Sequence, residues 1–192
     1  MSNQFTVAQE KTFILPYYND NQITLGEGHE IIQRLEWGGQ PPLKRKKLLH
    51  HPVELVITAH TVTDFCTTIA ECSTIVAAIQ NYHFTLKKSD ITYNFLIGGD
   101  GNVYVGRGWD VVNPFRNQSI VISFIGNYLS DQLKEDMIDA AQMLLLQGVE
   151  FGKLAENYTI VCHNQTKATL SPGTNVYKIV KTWPHYSPDK IH

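Results

Sequence analysis

The sequence predicts an α/β fold in which a mixed central β-sheet is flanked by three main helices, and three observations support it. Val53 to Ala59 is a mostly apolar, β-branched run, which is typical of a strand buried on both faces. Thr68 and Glu71 form a capping-box pair in front of apolar residues at helical spacing that continue to His83. The glycine-rich stretch 98–102 separates two short apolar runs and predicts a β-hairpin.

The remaining predicted elements continue an alternation of strands and helices along the chain. Further strands are predicted at residues 93–97, 103–105, 120–125 and 158–162. We expect Ser130 to cap a long helix, and a final helix to occupy about 175–182. The apolar stripe of the long helix comprises Leu133, Met137, Ala141, Leu144 and Gly148. The order is strand, helix, hairpin, strand, helix, strand, helix, which gives a sheet covered by helices.

The chain length and net charge limit the possible domain organisation and partners. The chain has 192 residues, 43% of them hydrophobic, which suits one domain with its own core. We predict an N-terminal arm at 1–28, with the apolar stretch Phe13–Leu15, and a single domain at 29–192. A net charge of −2 gives no general attraction to nucleic acid or anionic membranes, so no nucleic-acid partner is expected. The basic run Lys44–Lys47 is either a solvated loop, which we favour, or a partner-binding patch.

Cysteines and glycosylation motifs indicate an extracellular protein. Cys66 and Cys72 are six residues apart and are expected to form a disulfide rather than remain as two buried thiols, while Cys162 is expected to be a buried small apolar residue. Three sequons for N-glycosylation point the same way: Asn117, Asn157 and Asn164. Residues 1–10 lack a secretory-signal pattern, so we expect an excerpt from a secreted protein or from the ectodomain of a membrane-anchored receptor.

Two segments read like the halves of a zinc-hydrolase site from which most ligands have been removed. They are Ile57–Thr61, and His163 followed by the run 169–173. A catalytic zinc needs about three protein ligands and an open position for water. Ala59 offers no ligand atom and Ser171 only a neutral hydroxyl, so no metal and no other cofactor is expected.

A wider set of motifs resembles the peptidoglycan recognition protein family, the animal immune family related to bacteriophage-type zinc amidases. The matching segments are Arg34–Gly38, Tyr93–Gly98, Gly101–Trp109, Ser119–Asn127, Leu170–Gly173 and Trp183–Tyr186. The resemblance implies a groove that binds the muramyl peptide stem. In the enzymatic members it implies zinc held by a histidine after the first core strand, a histidine after the late strand and a cysteine before Pro-Gly, with an assisting tyrosine.

Transferred to this sequence, those positions are Ala59, His163, Ser171 and Tyr93. Two of the three ligands are therefore replaced, which predicts that the chain is not an amidase. The neighbouring donors His60 and Cys162 are expected to point away, because adjacent strand residues face opposite sides, unless a bulge at the strand end turns His60 around.

The resemblance also suggests a set of groove residues and a weakened groove. The candidates are His60, Thr61, His83, Lys87, Lys88, Trp109 and Thr169, although Trp109 has an alternative role in the core. Lys87 and Lys88 stand where relatives often carry a Gly-Trp or Asn-Phe pair, and exposed ion pairs to a ligand contribute only about 0.2–1 kcal/mol. The loop 110–118 is shorter than in relatives and lacks a groove histidine, so we expect a shallow site with weak affinity.

Three hypotheses about function follow, and the one we favour is a non-catalytic domain of an innate immune receptor or regulator. It would act by pairing with a ligand-competent family member, in a heterodimer that a muropeptide can bridge, with weak or no direct binding of peptidoglycan fragments. The alternative is a sensor that binds muropeptide directly. A zinc amidase is the hypothesis that Ala59 and Ser171 oppose most directly.

Overall fold

The computed structural model describes residues 24–26 and 28–191. The arm expected at 1–28, with its Phe13–Leu15 stretch, therefore lies almost entirely outside the described residues. Its described end, Thr24–Gly26, is a strand that pairs with His29–Ile32, so these residues belong to the sheet.

One sheet of seven strands forms the centre of the described chain. Its strands are β1 (Thr24–Gly26), β2 (His29–Ile32), β3 (Val53–His60), β4 (Phe95–Ile97), β5 (Val103–Val105), β6 (Ile120–Phe124) and β7 (Leu154–Cys162). They lie in the order β1-β2-β5-β4-β6-β3-β7. The pairs β1/β2 and β4/β5 are antiparallel and the other neighbours are parallel, so the sheet is mixed, as predicted.

Three α-helices cover the sheet: α1 (Ile69–Thr85), α2 (Glu135–Glu150) and α3 (Thr174–Val180). The start predicted for α1 is confirmed, because the Thr68 hydroxyl accepts a hydrogen bond from the Glu71 N–H at 3.3 Å. The cap predicted for α2 is wrong. Ser130 donates its hydroxyl to the Asn127 carbonyl in a tight turn at 127–131, and α2 begins only at Glu135.

The side chains of the central strands divide between two faces because strand residues alternate. One face packs against α2 and α3 and holds the main core, which includes Val56, Ile122, Met137, Leu144, Cys162 and Val176. The opposite face packs against α1, where Cys72, Val76 and Ile79 meet Leu96, Tyr104 and Ile125. A smaller apolar cluster consists of Ile57, Ala59, Val121 and Val161.

The structure also bears on the predictions for the cysteines and the glycosylation motifs. Cys66 and Cys72 form the expected disulfide, with their Cα atoms 5.2 Å apart, and Cys162 is a buried free thiol. All three sequon asparagines, Asn117, Asn157 and Asn164, are exposed. Within residues 24–26 and 28–191, no helix has the length and apolar character needed to span a bilayer.

Candidate functional site

The candidate site lies where three parallel strands end side by side. β3 lies between β6 and β7, and Ala59 near its end pairs with Ser123 of β6. His163 follows the last residue of β7 directly. Ligand sites of α/β sheets form at the carboxyl ends of such strands, so the fold brings Ala59 and His163 to the expected edge.

Four rings form a continuous row at this edge. The His83 ring lies 5.7 Å from the Tyr93 ring, measured between centroids, and Tyr93 lies 5.5 Å from Phe115. Phe115 in turn lies 4.6 Å from His163. Phe115 occupies a loop with no motif of its own, so the sequence gives no signal for its place in this row. The row therefore joins the candidate groove histidine His83 to His163, the one predicted zinc-ligand position that still carries a ligand residue type.

Ala59 and Ser171, the two positions at which the sequence predicted a lost zinc ligand, are both buried and engaged in other contacts. Ala59 is 1% exposed and packs among Ile57, Val121 and Val161, with Phe115 covering the same cluster. Ser171 is buried, and its hydroxyl already accepts a hydrogen bond from the backbone N–H of His60 at 3.2 Å. In the part of the chain that the structure describes, no three His, Cys, Asp or Glu side chains come together as a metal site. The residues present do not fit a zinc ion.

The two histidines of the row are both held in the neutral form. Burial lowers the pKa of His163 to about 4, and the charges of Lys167 and His60 add to the effect. The Nδ1 atom of His163 is buried and has no hydrogen-bond partner among residues 24–26 and 28–191. Burial also lowers the pKa of His83 to about 4, with further lowering by Arg107 and Lys88. Neither imidazole carries a charge at neutral pH.

An open groove of about 1010 Å³ begins beside this row and runs along α1. Its walls are α1, the loop after β3 and the turn at 127–131. The lining residues are Thr61, Val62, Thr63, Asp64, Phe65, Ile75, Ala78, Ile79, Tyr82, His83, Tyr93, Asn127, Ser130 and Asp131. Of the predicted groove residues, Thr61 and His83 line it, and Tyr93 joins them. The loop 110–118 contributes no lining residue, although its Phe115 packs against Tyr93 at the end of the groove.

Three further predicted groove residues lie near its ends without lining it. Lys88 donates its backbone N–H to the His83 carbonyl at 3.0 Å, which places Lys87 and Lys88 beyond the His83 end, with exposed side chains. Thr169 lies beside Ser171, whose backbone N–H donates to the Thr169 hydroxyl at 3.3 Å.

Two predicted groove residues belong elsewhere. Trp109 packs on Phe95 with ring centroids 4.6 Å apart, and its ring lies so close to Gly148 of α2 that an added Cβ there would be 2.4 Å away. It is therefore a core residue on the α2 face of the sheet. His60 also points to that side, where its Nδ1 accepts a hydrogen bond from the Tyr128 N–H at 3.1 Å. The alternation of β3 explains this, since Ala59 faces the opposite way.

Comparison with known proteins defines the class of domain. Residues 49–174 match the family model described as N-acetylmuramoyl-L-alanine amidase. The chain is 41% identical over 171 residues to peptidoglycan-recognition protein SC1a of Drosophila melanogaster, covering 85% of this chain and 90% of the relative. It is 42% identical over 169 residues to a peptidoglycan recognition protein of Trichoplusia ni, covering 85% and 92%. The chain thus has the amidase-type fold, and it belongs to the peptidoglycan recognition protein family.

Solved structures of peptidoglycan recognition proteins support the same family assignment. The ectodomain complex of peptidoglycan recognition proteins LCa and LCx with bound tracheal cytotoxin contains a chain that is 41% identical, with a TM-score of 0.80 and coverage of 82% of this chain and 98% of that one. Peptidoglycan recognition protein LE in complex with tracheal cytotoxin, a monomeric diaminopimelic acid-type peptidoglycan, is 36% identical with a TM-score of 0.80. It covers 82% of this chain and 95% of that one.

Proposed function

We propose that this domain recognises peptidoglycan fragments without cleaving them, and that it acts in immune signalling together with a second domain of the same family. The observation that carries the proposal is the pairing of an open groove with an edge that lacks metal ligands. The groove of about 1010 Å³ ends at His83 and Tyr93, while Ala59 and Ser171 provide no free donor beside His163.

The lining of the groove suits a peptide with methyl and amide groups. Ile75, Ile79 and Tyr82 supply apolar surface from α1, and Thr61 and Asn127 supply polar atoms from the opposite loops. Binding sites for small ligands combine these two features in this way. Direct recognition of a short stem peptide is therefore compatible with the groove.

The charges of the groove support weak rather than tight binding of an acidic stem by the domain alone. Asp64 and Asp131 line it, and no lysine or arginine is among the lining residues. Lys88 and Arg107 act on the His83 end, where both lower the pKa of that histidine. A carboxylate of the ligand gains little from an exposed cation such as Lys88, about 0.2–1 kcal/mol per pair, and the half-buried Arg107 already donates to the Ile91 and Val112 carbonyls. A partner domain that completes the contact would raise the affinity.

Support for a family partner comes from the relatives and from one basic surface. The LCa and LCx ectodomains form a complex with tracheal cytotoxin bound. In this chain the exposed run Lys44–Lys47 lies next to the exposed Lys87 and Lys88, because the Leu43 N–H donates to the Ser89 carbonyl at 2.8 Å. We take this basic surface as the candidate contact with the second domain.

We further propose that the domain works outside the cell, either in a secreted protein or on a membrane-anchored receptor. The Cys66–Cys72 disulfide supports an oxidising compartment. The exposed sequon residues Asn117, Asn157 and Asn164 are accessible to glycosylation.

Calorimetric titration with lysine-type and diaminopimelate-type muramyl tripeptides tests the proposal. We expect weak binding by the domain alone, abolished by Tyr82→Ala in the groove and unaffected by the matched control Phe151→Ala at the end of α2. Addition of a ligand-competent relative is expected to raise the affinity, and charge reversal of Lys44–Lys47 to remove that increase. Release of stem peptide from peptidoglycan in the presence of zinc would show that the domain is an amidase after all.

A further inference from the structure

Phe115 occupies the space between the groove and His163, and this has a consequence for what the site can bind. Its ring lies between Tyr93 and His163, at 5.5 and 4.6 Å. It also packs on the apolar cluster around Ala59. We propose that Phe115 closes the groove at Tyr93 and keeps a metal ion out of the space beside His163, even when metal ligands are supplied there.

The loop that carries Phe115 is held by a buried amide. Asn113 is 3% exposed and donates to the Asn94 side-chain oxygen at 2.9 Å and to the Ser119 carbonyl at 2.7 Å. Its own side-chain oxygen accepts from the backbone N–H groups of Phe115 at 2.9 Å and of Arg116 at 3.2 Å. A buried amide with every group bonded fixes the local backbone, so the ring has a defined position.

A second segment closes the same cluster from another side. Ile191 packs with Phe115 on the cluster of Ala59, and its backbone N–H donates to the Gln165 carbonyl at 3.0 Å. The Gln165 side chain donates to the carbonyls of Ser187 at 2.8 Å and Asp189 at 3.0 Å. Phe115 and Ile191 thus cover the cluster of Ala59 from two segments, each fixed by an amide side chain, and Phe115 is the one whose ring contacts His163.

This inference deepens the proposed function and rests on it, since it states where the recognition groove ends. The loss of metal ligands at 59 and 171 and the presence of Phe115 are independent obstacles to a metal. If only the ligands were missing, restoring them would restore a site. If Phe115 also fills the space, restoration fails until the ring is removed.

The experiment restores the ligands with and without the ring, and uses zinc alone as the probe. The variants are Ala59→His/Ser171→Cys, the same pair with Phe115→Ala, and the same pair with Phe151→Ala as a matched removal of another phenylalanine. Zinc affinity is measured by competition with a chromogenic chelator, and circular dichroism checks that each variant is folded. We expect the Phe115→Ala triple variant to bind zinc about tenfold more tightly than the other two, because those must first displace a half-buried ring.

Equal zinc affinity of the double variant and the Phe115→Ala triple variant overturns the inference. A second readout uses the otherwise unchanged chain: Phe115→Ala should speed the modification of His163 by diethyl pyrocarbonate by about tenfold, whereas Phe115→Leu should have a smaller effect. An unchanged rate in both variants also overturns the inference. Neither readout involves a muropeptide, so a failure here is separate from a failure of peptidoglycan recognition.

Discussion

The His83 imidazole should make the folded domain sensitive to mild acid. His83 is 9% exposed, and the Thr92 backbone N–H points at its Nδ1 atom at 3.3 Å. Because an N–H group can only donate, Nδ1 must be unprotonated in this arrangement. Protonation of Nδ1 would make it a donor facing the Thr92 N–H donor, so this hydrogen bond would be lost. It would also place a positive charge near Arg107 and Lys88, the cations that already lower the pKa of His83.

The magnitude follows from the lowered pKa. It falls from 6.5 to about 4 in the folded domain, chiefly because of burial. The unfolded chain therefore binds more protons between these two values, and stability increases with pH across this window. The contribution is fully present above pH 6.5 and is lost as the pH falls towards 4. By pH 5 the loss is about 2 kcal/mol, and the whole window is worth about 3 kcal/mol.

Urea unfolding at pH 7, 6 and 5 measures this contribution. The His83→Gln variant should lose about 2 kcal/mol less than the wild type between pH 7 and pH 5. His50→Gln, at an exposed loop position, serves as the control and should follow the wild type. His163, whose pKa burial also lowers to about 4, keeps part of the slope in both variants. Parallel stability curves for wild type and His83→Gln would refute the assignment of the acid sensitivity to His83.

The remaining predictions concern stability and thiol chemistry. Asp90→Ala should cost about 3 kcal/mol in chemical denaturation, because it leaves the Arg34 guanidinium, now 2.7 Å from the carboxylate, without its buried partner; a loss below 1 kcal/mol contradicts this. Replacement of Cys66 and Cys72 by serine should cost about 2 kcal/mol, the closure entropy of a short loop, and an unchanged melting temperature opposes it. The Cys162 thiol, whose pKa burial raises to about 11, should react with Ellman's reagent only after unfolding.

The sequence predicted the elements whose signals are local. The strand at 53–59, the capped start of α1 at Thr68 and the hairpin around 98–102 each depend on a few consecutive residues, and the structure confirms all three. The short strands β1 and β2 were missed because Thr24–Gly26 ends in a glycine and His29–Ile32 is half polar, whereas the equally short β4 and β5 are apolar runs on either side of a strong turn signal. The Ser130 cap failed for a different reason, since its hydroxyl is used inside the preceding turn.

The candidate site was predicted only in part, because its decisive contacts join distant segments. The positions of Ala59 and His163 followed from motifs, and the structure brings them to one edge of the sheet. Phe115 reaches the same edge only through the amide contacts of Asn113, which no spacing in the sequence reveals. The sequence left Trp109 open between a groove role and a core role, because a tryptophan after a strand can face either layer, and here it faces α2.

The alternation of side chains along each strand explains why the neighbouring donors do not form a metal site with His163. His60 and Cys162 each adjoin a position where the family resemblance predicts a zinc ligand in enzymatic members, and both are chemically suited to zinc. Cys162 belongs to the core on the α2 face, and His60 bonds to the Tyr128 backbone on that side. Turning either side chain towards His163 would require its strand to shift register by one residue. The apolar side chains that this strand now buries would then be exposed. The zinc experiment therefore introduces ligands at positions 59 and 171 rather than relying on His60 or Cys162.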